Sequence, residues 1–200
     1  MKKRIIPDAQ AMQDAVRAFI AAMGLDVAST HLKQTPARVA EAWTKEFIDG
    51  YAQTPEEILQ NRFRPEVRGG RDLVVVSQVR FHSVCPHHLL PYQGLAHLAY
   101  VPSEWMVGFG RMPALLNCFA HRLILQEELC KKVAQALSTC LESPATACVI
   151  QAEHACLRLR NTHQRGAITH TEAYQGWLKT NRGLRHEFWA RIGANHEDTV

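Results

Sequence analysis

Leu73-Val74-Val75-Val76-Ser77-Gln78-Val79-Arg80-Phe81-His82-Ser83-Val84 runs into Cys85-Pro86-His87-His88-Leu89-Leu90-Pro91 and out through Tyr92-Gln93-Gly94-Leu95-Ala96-His97-Leu98-Ala99-Tyr100-Val101-Pro102. The first run is β-branched and alternating and the last is apolar and punctuated by proline, a pattern that predicts two strands joined by a Cys-x-x-His turn. Downstream, 112–123 and 125–141 read as two helices, the second with Leu125, Leu129, Val133, Ala136, Leu137 and Cys140 at helical spacing. They form a helical crossover to a strand-rich tail at 145–152, 155–160 and 166–177, and a last helix follows at 184–192.

Upstream the chain reads as helical. Pro7-Asp8 opens a helix through Met12, Val16, Phe19, Ile20 and Met23, and Gly24 stops it. Thr35 reads as an N-cap with Pro36 in the first turn, leading to Val39, Trp43, Phe47 and Ile48 before Gly50. Thr54-Pro55-Glu56-Glu57 repeats the device for a short third helix. The Trp and Phe stripes are expected in the core, and the Pro-, Gly- and Arg-rich stretch 61–72 is expected to be solvated loop. Strand pairs flanking two helices define an α+β domain, with no repeat, low-complexity run or domain boundary. One domain over 1–200 is expected, with a helical region at 1–60 and the sheet-bearing core at 73–195.

Composition agrees with one compact enzyme-sized core: 200 residues, 46% hydrophobic and 21% charged. No apolar run approaches the roughly 18–20 residues of a spanning helix, and Met1 to Pro7 lacks the apolar stretch of a signal peptide. A cytoplasmic location without membrane association is expected. The net charge of +4 is dispersed, which argues against a nucleic-acid groove. Cys118, Cys130, Cys140 and Cys148 lack framework spacing and read as reduced and mostly buried.

The remaining two cysteines carry the chemistry. Cys85 and His88 in one tight turn, with Cys156 of the distant run Glu153-His154-Ala155-Cys156, offer three ligands of the kind zinc takes. Zn²⁺ binds tetrahedrally at about 2.3 Å to thiolate and about 2.0–2.1 Å to imidazole, and a catalytic site keeps its fourth position for water, whose pKa falls to about 7. A structural site would usually show Cys-x-x-Cys or a terminal His-x-x-x-His, and neither occurs. His87 and His154 are then spare imidazoles beside a hydroxide source.

At this point the chain resembles the GTP cyclohydrolase I family, from about Gly24 to the C-terminal helix. The resemblance is carried, in family order, by Thr35-Pro36-Ala37-Arg38-Val39-Ala40 ahead of Trp43, Cys85-Pro86-His87-His88, Gly94 to Pro102, Arg122-Leu123-Ile124-Leu125-Gln126-Glu127, Glu153-His154-Ala155-Cys156, and Arg185-His186-Glu187-Phe188. It implies a zinc enzyme in which metal-bound water adds to C8 of guanine, the imidazole ring opens, formate leaves and the ribose rearranges to close a pterin, a step of tetrahydrofolate biosynthesis. Cys85, His88 and Cys156 match the zinc ligands, and His87 and His154 the acid/base pair, which suits side chains titrating near neutrality. Glu127 matches the carboxylate that reads guanine, with Gln126 beside it; without the resemblance both read as polar positions on a solvated helix face. Arg111 and Arg160 match phosphate contacts.

The family implies the T-fold, a four-stranded antiparallel sheet with two helices on one face, here behind an N-terminal helical extension. An open sheet leaves edges that pairing with another chain removes, in keeping with the family's pentamers and decamers. The expected partners are a small purine substrate and further copies of the chain.

The chain departs from the family in the metal turn, at Pro86, where zinc ligation does not need the missing carboxylate, and, more seriously, where phosphates bind. Pro86 replaces a glutamate, Gly110 and Ala114 stand in place of a serine and an arginine, His163 in place of an arginine, and Ala167-Ile168 in place of Ser-Lys. Charge-assisted hydrogen bonds are worth roughly 1.5–3 kcal/mol each, so losing such cations thins a triphosphate cradle unless Arg158, Arg165 or Arg182 compensates. Two other readings stand beside the first: a related hydrolase acting on a guanosine, a monophosphate or a free base, and a non-catalytic zinc-stabilised protein that binds a pterin or purine.

Overall fold

The computed structural model describes residues 4–66, 72–160, 164 and 166–193. In chain order its elements are α1 (Ala9–Ala22), α2 (Thr35–Ala42), a π turn (Trp43–Phe47), a 3-10 turn (Asp49–Ala52), α3 (Pro55–Ile58), β1 (Arg62–Phe63), β2 (Val74–Val84), β3 (Pro91–Tyr100), β4 (Met106–Val107), α4 (Arg111–Ala120), α5 (Gln126–Leu141), β5 (Ala145–His154), α6 (Ala155–Arg158), β6 (Thr169–Gly176), α7 (Trp177–Thr180) and α8 (Arg182–Gly193). The main sheet has the order β2-β3-β5-β6, every neighbouring pair antiparallel. The α4–α5 crossover connects its two hairpins, as expected.

Helices α4 and α5 cover one face of the sheet. Leu115, Leu116, Leu129, Val133 and Leu137 pack there against Phe81, Tyr92, Leu98, Cys148 and Ile150 in the larger core. The opposite face is not bare, as two helices on one face alone would leave it. Leu178, Phe188 and Ile192 of α7 and α8 form a second core with Leu73, Ala99, Val101, Ala147 and Val149. Phe188 of the Arg185-His186-Glu187-Phe188 motif therefore has a packing task, and Arg185 lies over the Tyr174 ring.

A bulge in β2 sets which residues face which core. The register with β3 slips between Val76 and Val79, and Gln78 takes a left-handed φ of 55°. Before the bulge Val74 and Val76 point to the larger core; after it Val79 and Phe81 do. One extra residue thus reverses the side-chain parity of the strand, so the simple alternation read from the sequence holds only in halves.

The N-terminal region agrees in part. Asp8 caps α1 by accepting from Ala11 N at 3.0 Å, and Thr54 caps α3 by accepting from Glu57 N at 3.3 Å. Thr35 does not cap α2. Gln34 holds the N-cap position and Thr35 is already helical, its hydroxyl donating back to His31 O. The helix does not run on to Gly50 but widens into the π turn at Trp43. The expected core stripe is also incomplete: Trp43 and Phe47 are half-buried, and in α1 Ile20 is buried while Phe19 is 67% exposed, because α1 lies chiefly against α2. The stretch 61–72 is not all loop, since β1 pairs with β4.

Arg122 ties this region to the sheet side. Its Nε donates to Gly50 O and Cys118 O, and its Nη2 to Gln53 O. Among the described residues no helix is long and apolar enough to cross a membrane.

Candidate metal and catalytic centre

The β2–β3 hairpin and the end of β5 meet at the functional residues. Between the strands the chain makes one helical turn: Leu89 N donates to Cys85 O and Cys85 N to Leu90 O, both at 2.9 Å. In such a turn residues three apart share a side, so Cys85 and His88 point the same way, and a left-handed Leu89 (φ 54°) returns the chain to β3. Pro86 stands second in this turn, where its fixed φ suits the geometry.

Register brings in the rest. Val84 pairs with Pro91 and Tyr92 pairs with His154, so the end of β5 lies alongside the hairpin turn. Cys156 then sits in the first turn of α6. The expected strand over 155–160 is absent because the chain bends into this helical turn as it leaves β5. That bend swings Cys156 back, and the ligand atoms of Cys85, His88 and Cys156 all lie within 4.8 Å of one another.

The donor set fits zinc. A sulfur–nitrogen edge of a tetrahedral cage with bonds of about 2.3 and about 2.1 Å is about 3.6 Å long, and Cys85 Sγ lies 3.7 Å from His88 Nδ1. Cys85 is buried, Cys156 half-buried and His88 exposed, so the cage is closed at its base and open on one side. Burial and the neighbouring Cys85 thiol push the Cys156 thiol up, against the pull of the Arg160 charge. A divalent cation would relieve that cost by taking both sulfurs as thiolates.

His154 stands beside the cage, its ring stacked on Tyr92 with centroids 4.5 Å apart and planes 7° from parallel. Burial lowers its pKa, partly offset by the Glu127 carboxylate. Its Nε2 lies 2.7 Å from Oε1 of Gln126. Gln126 is only 3% exposed, not the solvated residue that its place on an amphipathic helix predicts. Thr169 donates its hydroxyl to Gln126 Oε1 at 2.7 Å.

The other expected site residues are less tightly gathered. His87 is exposed, its ring edge-on to His88 at 6.2 Å. Glu127 is exposed in the first turn of α5, near enough to act electrostatically on both His154 and Tyr92. Arg160 is exposed just after α6, and Arg111 opens α4 without an ion pair among the described residues. Of the candidate compensating cations, Arg158 is paired with Glu153 and Arg182 begins α8. His163 and Arg165 lie outside the described residues. Ile168 is 50% exposed.

Sequence reasoning passed over Tyr92 and Thr169 as participants. Both are strand residues whose partners lie across the sheet, and only register brings Tyr92 opposite His154 and Thr169 opposite Ala152.

An antiparallel four-stranded sheet backed by a helical pair thus carries a Cys/His/Cys cluster at its strand ends. The family model described as GTP cyclohydrolase I matches residues 12–193. Three proteins named GTP cyclohydrolase 1 are similar over most of their length. The one from Ralstonia nicotianae is 35% identical over 92% of this chain and 87% of its own, and that from Chromobacterium violaceum 35% over 95% and 91%. The one from Brucella anthropi is 38% identical over 84% and 78%. The chain belongs to the GTP cyclohydrolase I family, and its sheet and helices are a T-fold.

Proposed function

We propose that this protein is a zinc-dependent hydrolase that opens the imidazole ring of a guanine nucleotide by attack of water at C8, releasing formate and leading to a dihydropterin. The observation that carries this reading is the convergence of Cys85, His88 and Cys156 within 4.8 Å, next to a partly desolvated histidine. When bound in that cage, Zn²⁺ supplies a water acidified to about neutrality as the nucleophile. His154 and His87 move protons at the purine ring, and Glu127 accepts the parallel N–H donors of guanine. Arg111 and Arg160 meet the phosphates.

The first and last strands of the main sheet, β2 and β6, each have a neighbour on one side only in the described chain. That supports closure into a ring of copies, a pentamer or decamer. Six free thiols suit a reducing cytoplasm.

A second reading concerns the substrate's tail. Gly110, Ala114 and the exposed Ile168 offer no charge to a triphosphate, which favours a guanosine or a monophosphate. Mass spectrometry of products from GTP, GMP and guanosine decides between the two. Formate and a dihydropterin from GTP in clear preference to the other two support the first reading, preference for GMP or guanosine supports the second, and no ring opening of any of the three removes both.

A further inference from the structure

Gln126 is where sequence and structure part most sharply. It sits at the start of α5 beside Glu127, where a substrate contact would be expected, yet its amide is occupied by the protein. Gln126 Nε2 donates towards Ile150 O at 3.2 Å, Thr169 O at 3.1 Å and Thr171 Oγ1 at 3.1 Å. Its Oε1 faces His154 Nε2 and the Thr169 hydroxyl, each at 2.7 Å. With two N–H groups serving three acceptors and both lone pairs engaged, nothing is left for a ligand.

The orientation of this amide is forced. Ile150 O and Thr169 O are backbone carbonyls and can only accept, so the side facing them must be the NH2; reversing it would set three oxygens against one another. Oε1 therefore faces the imidazole. A deprotonated Nε2 at 2.7 Å would put lone pair against lone pair, so Nε2 carries the hydrogen. Among the described residues the Thr169 hydroxyl meets Gln126 Oε1 and Ala152 O, two acceptors. It donates, and it does not compete for the imidazole proton. Stacking on Tyr92 holds the ring plane, and the Tyr92 hydroxyl is anchored by donating to Ile124 O at 3.0 Å.

We propose that Gln126 is a positioning residue which does not touch substrate, and that by accepting from Nε2 it fixes His154 as the Nε2–H tautomer, leaving Nδ1 as the ring atom that exchanges a proton with the reacting purine. The proposal deepens the reading of His154 given above, and the tautomer can be tested apart from it.

The experiment is ¹⁵N NMR of histidine-labelled, zinc-loaded protein in the alkaline range where neutral imidazoles dominate, with His154 assigned by its absence in His154→Ala. The expected spectrum shows a pyrrole-type Nε2 and a pyridine-type Nδ1 in the wild type and in Thr169→Val, which leaves the carbonyl contacts of the amide in place. In Gln126→Met the preference is lost and Nδ1–H becomes populated. Ring-opening kcat then falls by about 10²-fold while KM stays within about threefold, since a proton-transfer group and not a binding contact is disturbed. A wild-type His154 protonated on Nδ1, or an unchanged His154 pattern in Gln126→Met, overturns the proposal. If Gln126→Met does not fold, the wild-type spectrum decides alone. Absence of ring opening with the Nε2–H pattern intact would count against the function and not against the positioning.

Discussion

Tyr92 and His154 face each other across the β3–β5 ladder as direct register partners, their rings parallel to within 7° at 4.5 Å. The contact joins core to site. One face of Tyr92 belongs to the larger hydrophobic core while its ring carries the imidazole, so packing energy holds the geometry of the candidate centre. An aromatic pair of this kind is worth about 0.5–1.5 kcal/mol beyond its burial.

Tyr92→Phe keeps the stack and removes the hydroxyl's bond to Ile124 O. It is expected to cost about 1 kcal/mol in urea unfolding and to leave ring-opening activity within a few-fold. Tyr92→Ala is expected to cost about 3–5 kcal/mol and to depress activity further, because the imidazole loses its platform. Equal stability of the two variants would contradict the packing role.

Gly94 lies in β3 two residues past that contact, opposite Ala152. A Cβ there would come within 1.9 Å of Gln151 O and 2.7 Å of Ala152 Cα. Those are backbone atoms of the neighbouring strand and cannot turn aside. Gly94→Ala should therefore push β3 from β5, destabilise by about 1–3 kcal/mol and weaken zinc retention together. Thermal unfolding and metal content measured on the same samples check this, and a variant with unchanged melting temperature speaks against so close an approach.

Burial holds His154 below the ordinary imidazole value of 6.5. The neutral ring is thus the form that the fold favours, and acid works against folding through this residue. Its contribution is fully present above the unfolded pKa of 6.5 and is lost as pH falls through the lower folded value. In zinc-free protein, the stability difference between wild type and His154→Gln should be flat above about 6.5 and shrink below it. A difference that grows on acidification would reverse the sign of the shift.

Local chemistry was legible in the sequence wherever it needed no distant partner. Asp8 and Thr54 cap their helices through neighbours three residues on, and Cys85 and His88 converge within one turn, so spacing sufficed to find them. The β2 bulge at Gln78 was hidden because an extra residue in one strand is defined only against the other. The turn of α6 was hidden because Ala155 to Arg160 is short and apolar enough to pass for strand. The burial of Gln126 was hidden for a further reason: on a helix surface a polar residue looks solvated, and only β5 and β6 closing over it convert it into a buried amide. The proposed phosphate contacts of Arg111 and Arg160 came from the family resemblance, because spacing marks a charged side chain on the chain but not the anion it meets.

On the function proposed above, Cys85, His88 and Cys156 form one metal cage that serves ring opening through His154. Zinc content and formate release from GTP, GMP and guanosine, measured together on wild type, Cys156→Ser and His154→Ala, test it most directly. The expected result is about one zinc per chain and formate from at least one substrate in the wild type, loss of both in Cys156→Ser, and retained zinc with formate release reduced by about 10²-fold or more in His154→Ala. Wild-type zinc content and formate release in Cys156→Ser would contradict it.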